Sequence, residues 1–212
     1  MGQRSSYEPG TFCWAELTTP DLEAARAFYA AVLGWDGEFE LDGAEVAGVR
    51  EGEPAGWTSF VRVEDAAAAA GEDARIRDPA GGELGVREDG GAARVNDPGC
   101  MTWNELAAPD PDAAKRFYAE RLGWTVEDDP TGYAVIRRGD AVNGGIRAAQ
   151  DGEPPGWLVY FTVAALDEAA AAIRDGGGSV EVEPFQSAAG RVLVAKDPQG
   201  ARFALFEGEV DP

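Results

Sequence analysis

The chain has no histidine, two cysteines, two methionines and two lysines among its 212 residues, and no long apolar run. Each absence excludes something. Without histidine, the commonest transition-metal ligand and the commonest general base near neutral pH are missing, so Ser-His-Asp triads and His-ligated zinc or iron sites are ruled out. Cys13 and Cys100 are too few for a Cys-rich zinc site or a disulfide framework. The start, MGQRSSYEPG, lacks the apolar stretch of a secretory signal, and nothing reaches the length of a membrane span. A soluble, cytoplasmic protein with no membrane partner is expected.

Positive charge is also scarce: 18 Lys plus Arg stand against 39 Asp plus Glu, a formal charge of −21. Such a surface cannot neutralise a phosphate backbone, which excludes nucleic acid as a partner. A cationic ligand would suit it better, although acidic charge also serves solubility alone. What is present is a 44% apolar fraction, ordinary for a globular chain. The length admits one large domain or two of about 100 residues.

The chain repeats itself. Trp14 to Trp35 aligns without a gap on Trp103 to Trp124 at an offset of 89, with thirteen of 22 positions identical. Gly52-Glu-Pro-Ala-Gly-Trp57 matches Gly152-Glu-Pro-Pro-Gly-Trp157 at an offset of 100, and Asp78-Pro-Ala-Gly81 matches Asp197-Pro-Gln-Gly200 at 119. The growing offset means a tandem duplication whose first copy has been shortened twice. The Asn-Asp-Pro-Gly run at 96–99 is a turn or linker signal. The expected organisation is a tail at 1–10, a shortened first domain at 11–95, a linker at 96–99 and a second domain at 100–208.

Each copy has the same local grammar. Alternation at Phe12–Leu17 marks a strand with Phe12, Trp14 and Glu16 on one face. Asp21 and Asp110 are N-cap residues, the second followed by Pro111, and apolar residues recur at helical spacing until Gly34 and Gly123. In the second half, strands are predicted at 125–127, 133–138 and 141–147, then a strand at 158–163, a helix at 166–174, and strands at 179–183, 191–195 and 201–206. The unit is β-α-β-β-β, twice over. In the first half only seven residues separate Ala70 from Asp78, where the stretch from Ile173 to Lys196 has 24 counting both ends, so at least one strand is missing there.

The order of strand, Pro-Asp helix start, Phe-Tyr, Leu-Gly-Trp, strand, helix, Gly-Gly and closing Asp-Pro-x-Gly strand resembles the vicinal oxygen chelate superfamily, which includes glyoxalase I, extradiol dioxygenases and the fosfomycin and bleomycin resistance proteins. The resemblance runs from Thr11 to Gly208. It implies an α+β fold in which tandem βαβββ modules curl mixed sheets into a cup with helices packed outside. The inward faces would be Phe12, Trp14, Glu16 and Met101, Trp103, Glu105. It also implies metal-ligand positions, which fall here on Trp14 and Trp103, near Glu45 and Asn143, near Thr58 and Leu158, and on Gly85 and Ala204. Only Glu45 and Thr58 carry ligand-type oxygens, so the superfamily's metal site is expected to be absent, and no cofactor is expected.

Indole at both first-strand positions offers flat faces for an aromatic or cationic ligand, with Glu16 and Glu105 pointing the same way two residues on. The ordinary alternative is that the indoles fill a collapsed cavity and the glutamates pair with Arg50, Arg147 or Arg202. The ligand-binding set is Trp14, Glu16, Trp103, Glu105, Tyr160 and Phe203, with Tyr133 and Phe60 as further candidates. Glu16 and Glu105 are the best catalytic candidates, and no metal-binding residue is assigned. Trp57 and Trp157 either pin a loop or cover the cavity mouth. Phe28, Tyr29, Phe117 and Tyr118 read as helix-to-sheet packing, and both cysteines as buried.

Three functions fit these residues: a metal-free protein that binds a small cationic or aromatic molecule in its cup, as drug-sequestering resistance proteins do; a lyase, isomerase or dioxygenase with a displaced metal or carboxylate site around Glu16, Glu45 and Glu105; or a non-catalytic interaction module. The first is preferred, as a monomer with an internal pseudo-dimer or as a homodimer.

Overall fold

The computed structural model describes residues 2 to 209. The first half runs β1 (Phe12–Thr19), α1 (Leu22–Leu33), β2 (Glu40–Leu41), β3 (Ala44–Glu45), β4 (Gly48–Glu51), β5 (Gly56–Arg62), α2 (Ala66–Ala70), β6 (Arg75–Arg77) and β7 (Glu83–Arg87). The second runs β8 (Met101–Ala108), α3 (Pro111–Leu122), β9 (Thr125–Asp128), β10 (Ala134–Arg138), β11 (Ala141–Ala148), β12 (Gly156–Thr162), α4 (Leu166–Asp175), β13 (Ser179–Gln186), β14 (Arg191–Lys196) and β15 (Arg202–Glu207).

The helix signals act as their chemistry requires. Asp21 and Asp110 accept the Ala24 and Ala113 amides at 2.9 and 3.0 Å, and Gly34 and Gly123 close the helices in the left-handed region at φ 75° and 67°. The helix α4 lacks a side-chain cap; Glu207 accepts the Leu166 amide instead, at 3.2 Å.

Each half forms one mixed sheet, ordered β4-β1-β5-β7-β6 and β13-β14-β15-β12-β8-β11-β10-β9. Both are built from two modules joined at their first strands, antiparallel β1 with β5 and β8 with β12. The missing strands of the first half are visible: β2 and β3 stand apart as a separate two-stranded hairpin, α2 has five residues, and two strands follow it rather than three.

The helices lie behind each cup, between the two sheets, because the backs of the sheets face each other. One apolar cluster combines α1, α4 and the back of β1 with Val159, Phe161, Leu193, Phe203 and Leu205 of the second sheet. The other combines Val61, Leu84 and Val86 of the first sheet with Leu106, Tyr118, Ile136 and Ile146 of the second half. The major helices therefore pack at the junction of the halves: α3 lies on β8, β9 and β11 of its own sheet, α1 on β4 and α4, and each also shares its apolar cluster with residues of the other half. Trp35 Nε1 donates to Gly99 O and Trp124 Nε1 to Gly10 O, both at 2.6 Å. Gly10 of the expected tail and Gly99 of the expected linker are thus equivalent anchor points. No helix among the described residues is long and apolar enough to cross a membrane.

Candidate functional site

On the second sheet, Trp103 and Glu105 of β8 face the open side. Their neighbours across the ladder are Tyr160 and Leu158 on β12, and Gly145 on β11 lies beside Glu105. A Cβ at Gly145 would collide with the Tyr133 phenol, so the glycine gives that ring its place. Trp103 Nε1 donates to Tyr133 Oη at 2.9 Å. Tyr160 Oη and Arg147 Nε both donate to Glu105 Oε1, at 3.0 and 2.7 Å. Burial, reinforced by the Glu105 charge, pushes both phenols well above their usual range, so both remain protonated donors.

Arg147 is the hub of this cup. Its Nη1 and Nη2 clasp Glu153 at 2.6 and 2.7 Å while Nε holds Glu105. The bond from Arg147 brings the Glu153 carboxyl down to about 2. Arg202 continues the chain from Glu153 at 3.2 Å to Glu181 at 2.8 Å, and Lys196 reaches Glu181 at 2.6 Å. Three carboxylates thus alternate with three cations, leaving no net charge, over an apolar floor of Leu158, Val192, Val194, Ala204 and Phe206.

On the first sheet the corresponding Trp14 and Glu16 also face the open side. Arg50 Nε holds Glu16 at 3.0 Å, as Arg147 holds Glu105. The Arg87 guanidinium lies 4.9 Å from the Trp14 ring centre and that of Arg75 lies 5.0 Å from Phe60.

Several expected placements are corrected. Phe203 does not line the cup: it is fully buried at the back of β15, 5.6 Å from the Tyr29 ring centre, and strand alternation instead turns Arg202, Ala204 and Phe206 to the open face. Phe12 and Met101 also lie on the helix side. Bulges between Phe12 and Trp14, and between Met101 and Trp103, break the period-2 pattern that placed them inward. Trp57 and Trp157 cover no mouth: their N–H groups donate to Tyr29 and Tyr118 Oη at 2.8 and 2.9 Å within the helix-side packing. Asn143 bonds Gly10 O and the Phe12 amide. Arg50 and Arg147 stand where the alternative reading of the glutamates put them, as their partners; Glu153 escaped sequence reasoning, and the repeated Gly-Glu-Pro-x-Gly-Trp turn that carries it was the available signal.

Glu16, Glu45 and Glu105 are not brought together. They lie in the first sheet, the small hairpin and the second sheet respectively, and among the described residues no three Cys, Asp or Glu side chains cluster as a metal would need. Each cup holds its glutamate against an arginine. The donor set does not fit a divalent ion of the kind the superfamily resemblance implies.

Architecture and cups define a tandem βαβββ protein of the glyoxalase-like class. Residues 100–205 match the family model described as Glyoxalase/Bleomycin resistance protein/Dioxygenase superfamily. The chain is 32% identical to "Putative glyoxylase CFP32" of Mycobacterium tuberculosis, covering 98% of each chain. It is 28% identical to "Anthracycline biosynthesis protein DauV" of Streptomyces sp. (strain C5), covering 95% of this chain and 94% of that one. The crystal structure of the Mn(II)-bound glyoxalase from Novosphingobium aromaticivorans superposes with a TM-score of 0.60 at 18% identity, covering 100% of this chain and 86% of that one. The chain belongs to the glyoxalase/bleomycin resistance/dioxygenase superfamily, also called vicinal oxygen chelate. The CFP32 alignment spans 256 positions against 212 residues here, in keeping with a shortened copy.

Proposed function

We propose that this chain is a metal-independent small-molecule binding protein, and that its ligand is a planar aromatic compound bearing hydroxyl or carbonyl groups, held in the cup of the second half. The observation that carries this reading is the half-buried Trp103 indole, fixed through its N–H to Tyr133 and set beside Tyr160 and Glu105 on an apolar floor. An indole face stacks on an aromatic plate, and the phenol oxygens and Glu105 offer hydrogen bonds to its rim. A cationic ligand, which the overall charge favours, has less support here because Arg147 already neutralises Glu105. The relative from Streptomyces sp. (strain C5) is named for anthracycline biosynthesis.

Tryptophan fluorescence titrated with a panel of hydroxylated anthraquinones and smaller phenols tests the proposal. Saturable quenching by at least one compound is expected, with Trp103→Ala weakening it roughly tenfold or more, the equivalent of about 1.4 kcal/mol. No saturable binding across the panel sinks it.

A further inference from the structure

The two cups have diverged from one ancestor in opposite directions. Strand pairing in the second sheet sets Thr162 opposite Phe206 and Val194 opposite Ala204. The equivalent pairs in the first sheet are Arg62 opposite Arg87 and Arg75 opposite Gly85. Three neutral side chains of one cup are thus three arginines in the other. With Arg50 and Arg77, the open face of the first sheet carries five of the chain's 18 basic residues. The carboxylates there, Glu16 and Glu83, serve Arg50, Arg77 and, at 3.6 Å, Arg75.

No carboxylate pairs with Arg62 or Arg87 among the described residues. Among the described residues the side chain of Arg62 makes no hydrogen bond or ion pair, and the Nη1 atoms of both Arg62 and Arg75 are buried without an acceptor. Like charges directly opposite on neighbouring strands destabilise a sheet, and a buried guanidinium N–H without a partner costs more than a neutral one. In a chain with 39 acidic residues, carboxylates to relieve these arginines were abundant. The guanidinium groups are also held in place. Gly85 has no Cβ to obstruct Arg75, which lies across it onto Phe60, and Arg87 stacks on Trp14 while its Nε donates to Asp89 O at 2.8 Å. Stacking on a ring face leaves the in-plane N–H fork of an arginine free for an oxyanion.

We propose that the open face of the first half is a binding site for a small oxyanion, a carboxylate or phosphate group, held by Arg62, Arg75 and Arg87. The site is separate from the Trp103 cup and does not depend on the reading of that cup. The anion would accept from the unpartnered guanidinium N–H groups and offset the repulsion between Arg62 and Arg87. Since the whole molecule is strongly negative, the attraction is local and weakens with salt.

Isothermal titration of the full chain with inorganic phosphate and, separately, benzoate at low ionic strength tests the site and separates the two sources of oxyanion. Saturable binding of at least one anion at about one per chain is expected. Arg62→Gln and Arg75→Gln should each weaken it roughly tenfold, since a charge-assisted hydrogen bond is worth about that factor or more. Arg174→Gln on α4, which changes net charge equally at a distance from the face, should leave it unchanged, as should Trp103→Ala. If one glutamine variant does not fold, the other and anion-induced shifts of the arginine Nε resonances in the wild-type chain decide. Absence of saturable binding of either anion, or equal weakening by Arg174→Gln, overturns the assignment.

Discussion

The Tyr29 phenol donates to Asp197 Oδ2 at 3.1 Å across 168 positions of sequence, and Tyr118 makes the same bond to Asp78 at 3.1 Å. Each joins the helix of one half to the Asp-Pro-x-Gly turn of the other. In both turns the aspartate also binds the amide four residues on, Ala201 at 2.8 Å and Gly82 at 3.1 Å, so one carboxylate holds a turn and receives a distant helix.

Tyr29→Phe removes the hydroxyl from both Asp197 and the Trp57 N–H. Leaving buried partners unsatisfied costs about 1–3 kcal/mol. Urea denaturation should show a loss of this size, with little change from Phe117→Leu on the more exposed rim of α3.

Arg147→Met leaves Glu105 and Glu153 facing each other without their shared cation. Breaking a buried pair by removing one partner costs on the order of 3 kcal/mol, so this substitution should destabilise the chain far more than Arg174→Met, whose pair with Glu183 is exposed.

Glu153 gives a pH signature. Its folded value of about 2 lies below the ordinary 4.5, so its carboxylate contributes stability that is fully present above about pH 4.5 and lost as pH falls through 2. The stability difference between wild type and Glu153→Gln should therefore be largest near neutral pH and shrink across that window, as measured by denaturation at successive pH values. A constant difference would contradict the Arg147 clasp.

Burial pushes the Cys13 thiol up to about 12 and that of Cys100 up to about 11. Thiolate is the reactive form, so native protein should resist alkylation by iodoacetamide near neutral pH and take up two labels after unfolding.

Much of this was legible in the chain. The 89-residue offset announced the duplication, the Asp caps and terminal glycines bounded the helices, and the short first copy foretold the missing strands. The pairing of each cup glutamate with an arginine was one of the readings left open. Phe12, Met101 and Phe203 were misplaced for a common reason: period-2 counting carries a facing through a strand only while the ladder is regular, and a bulge or a one-residue shift reverses it.

Local sequence determined the module, its caps, its repetition and the two indole-glutamate positions, because helix and strand periods and capping act over a few residues. Only tertiary structure decided that the two halves share their apolar clusters, that Tyr29 meets Asp197, that Arg147 gathers Glu105 with Glu153, and that, among the described residues, Arg62 and Arg87 stand side by side without a carboxylate. Those relationships depend on which strands become neighbours, and long-range packing sets that order.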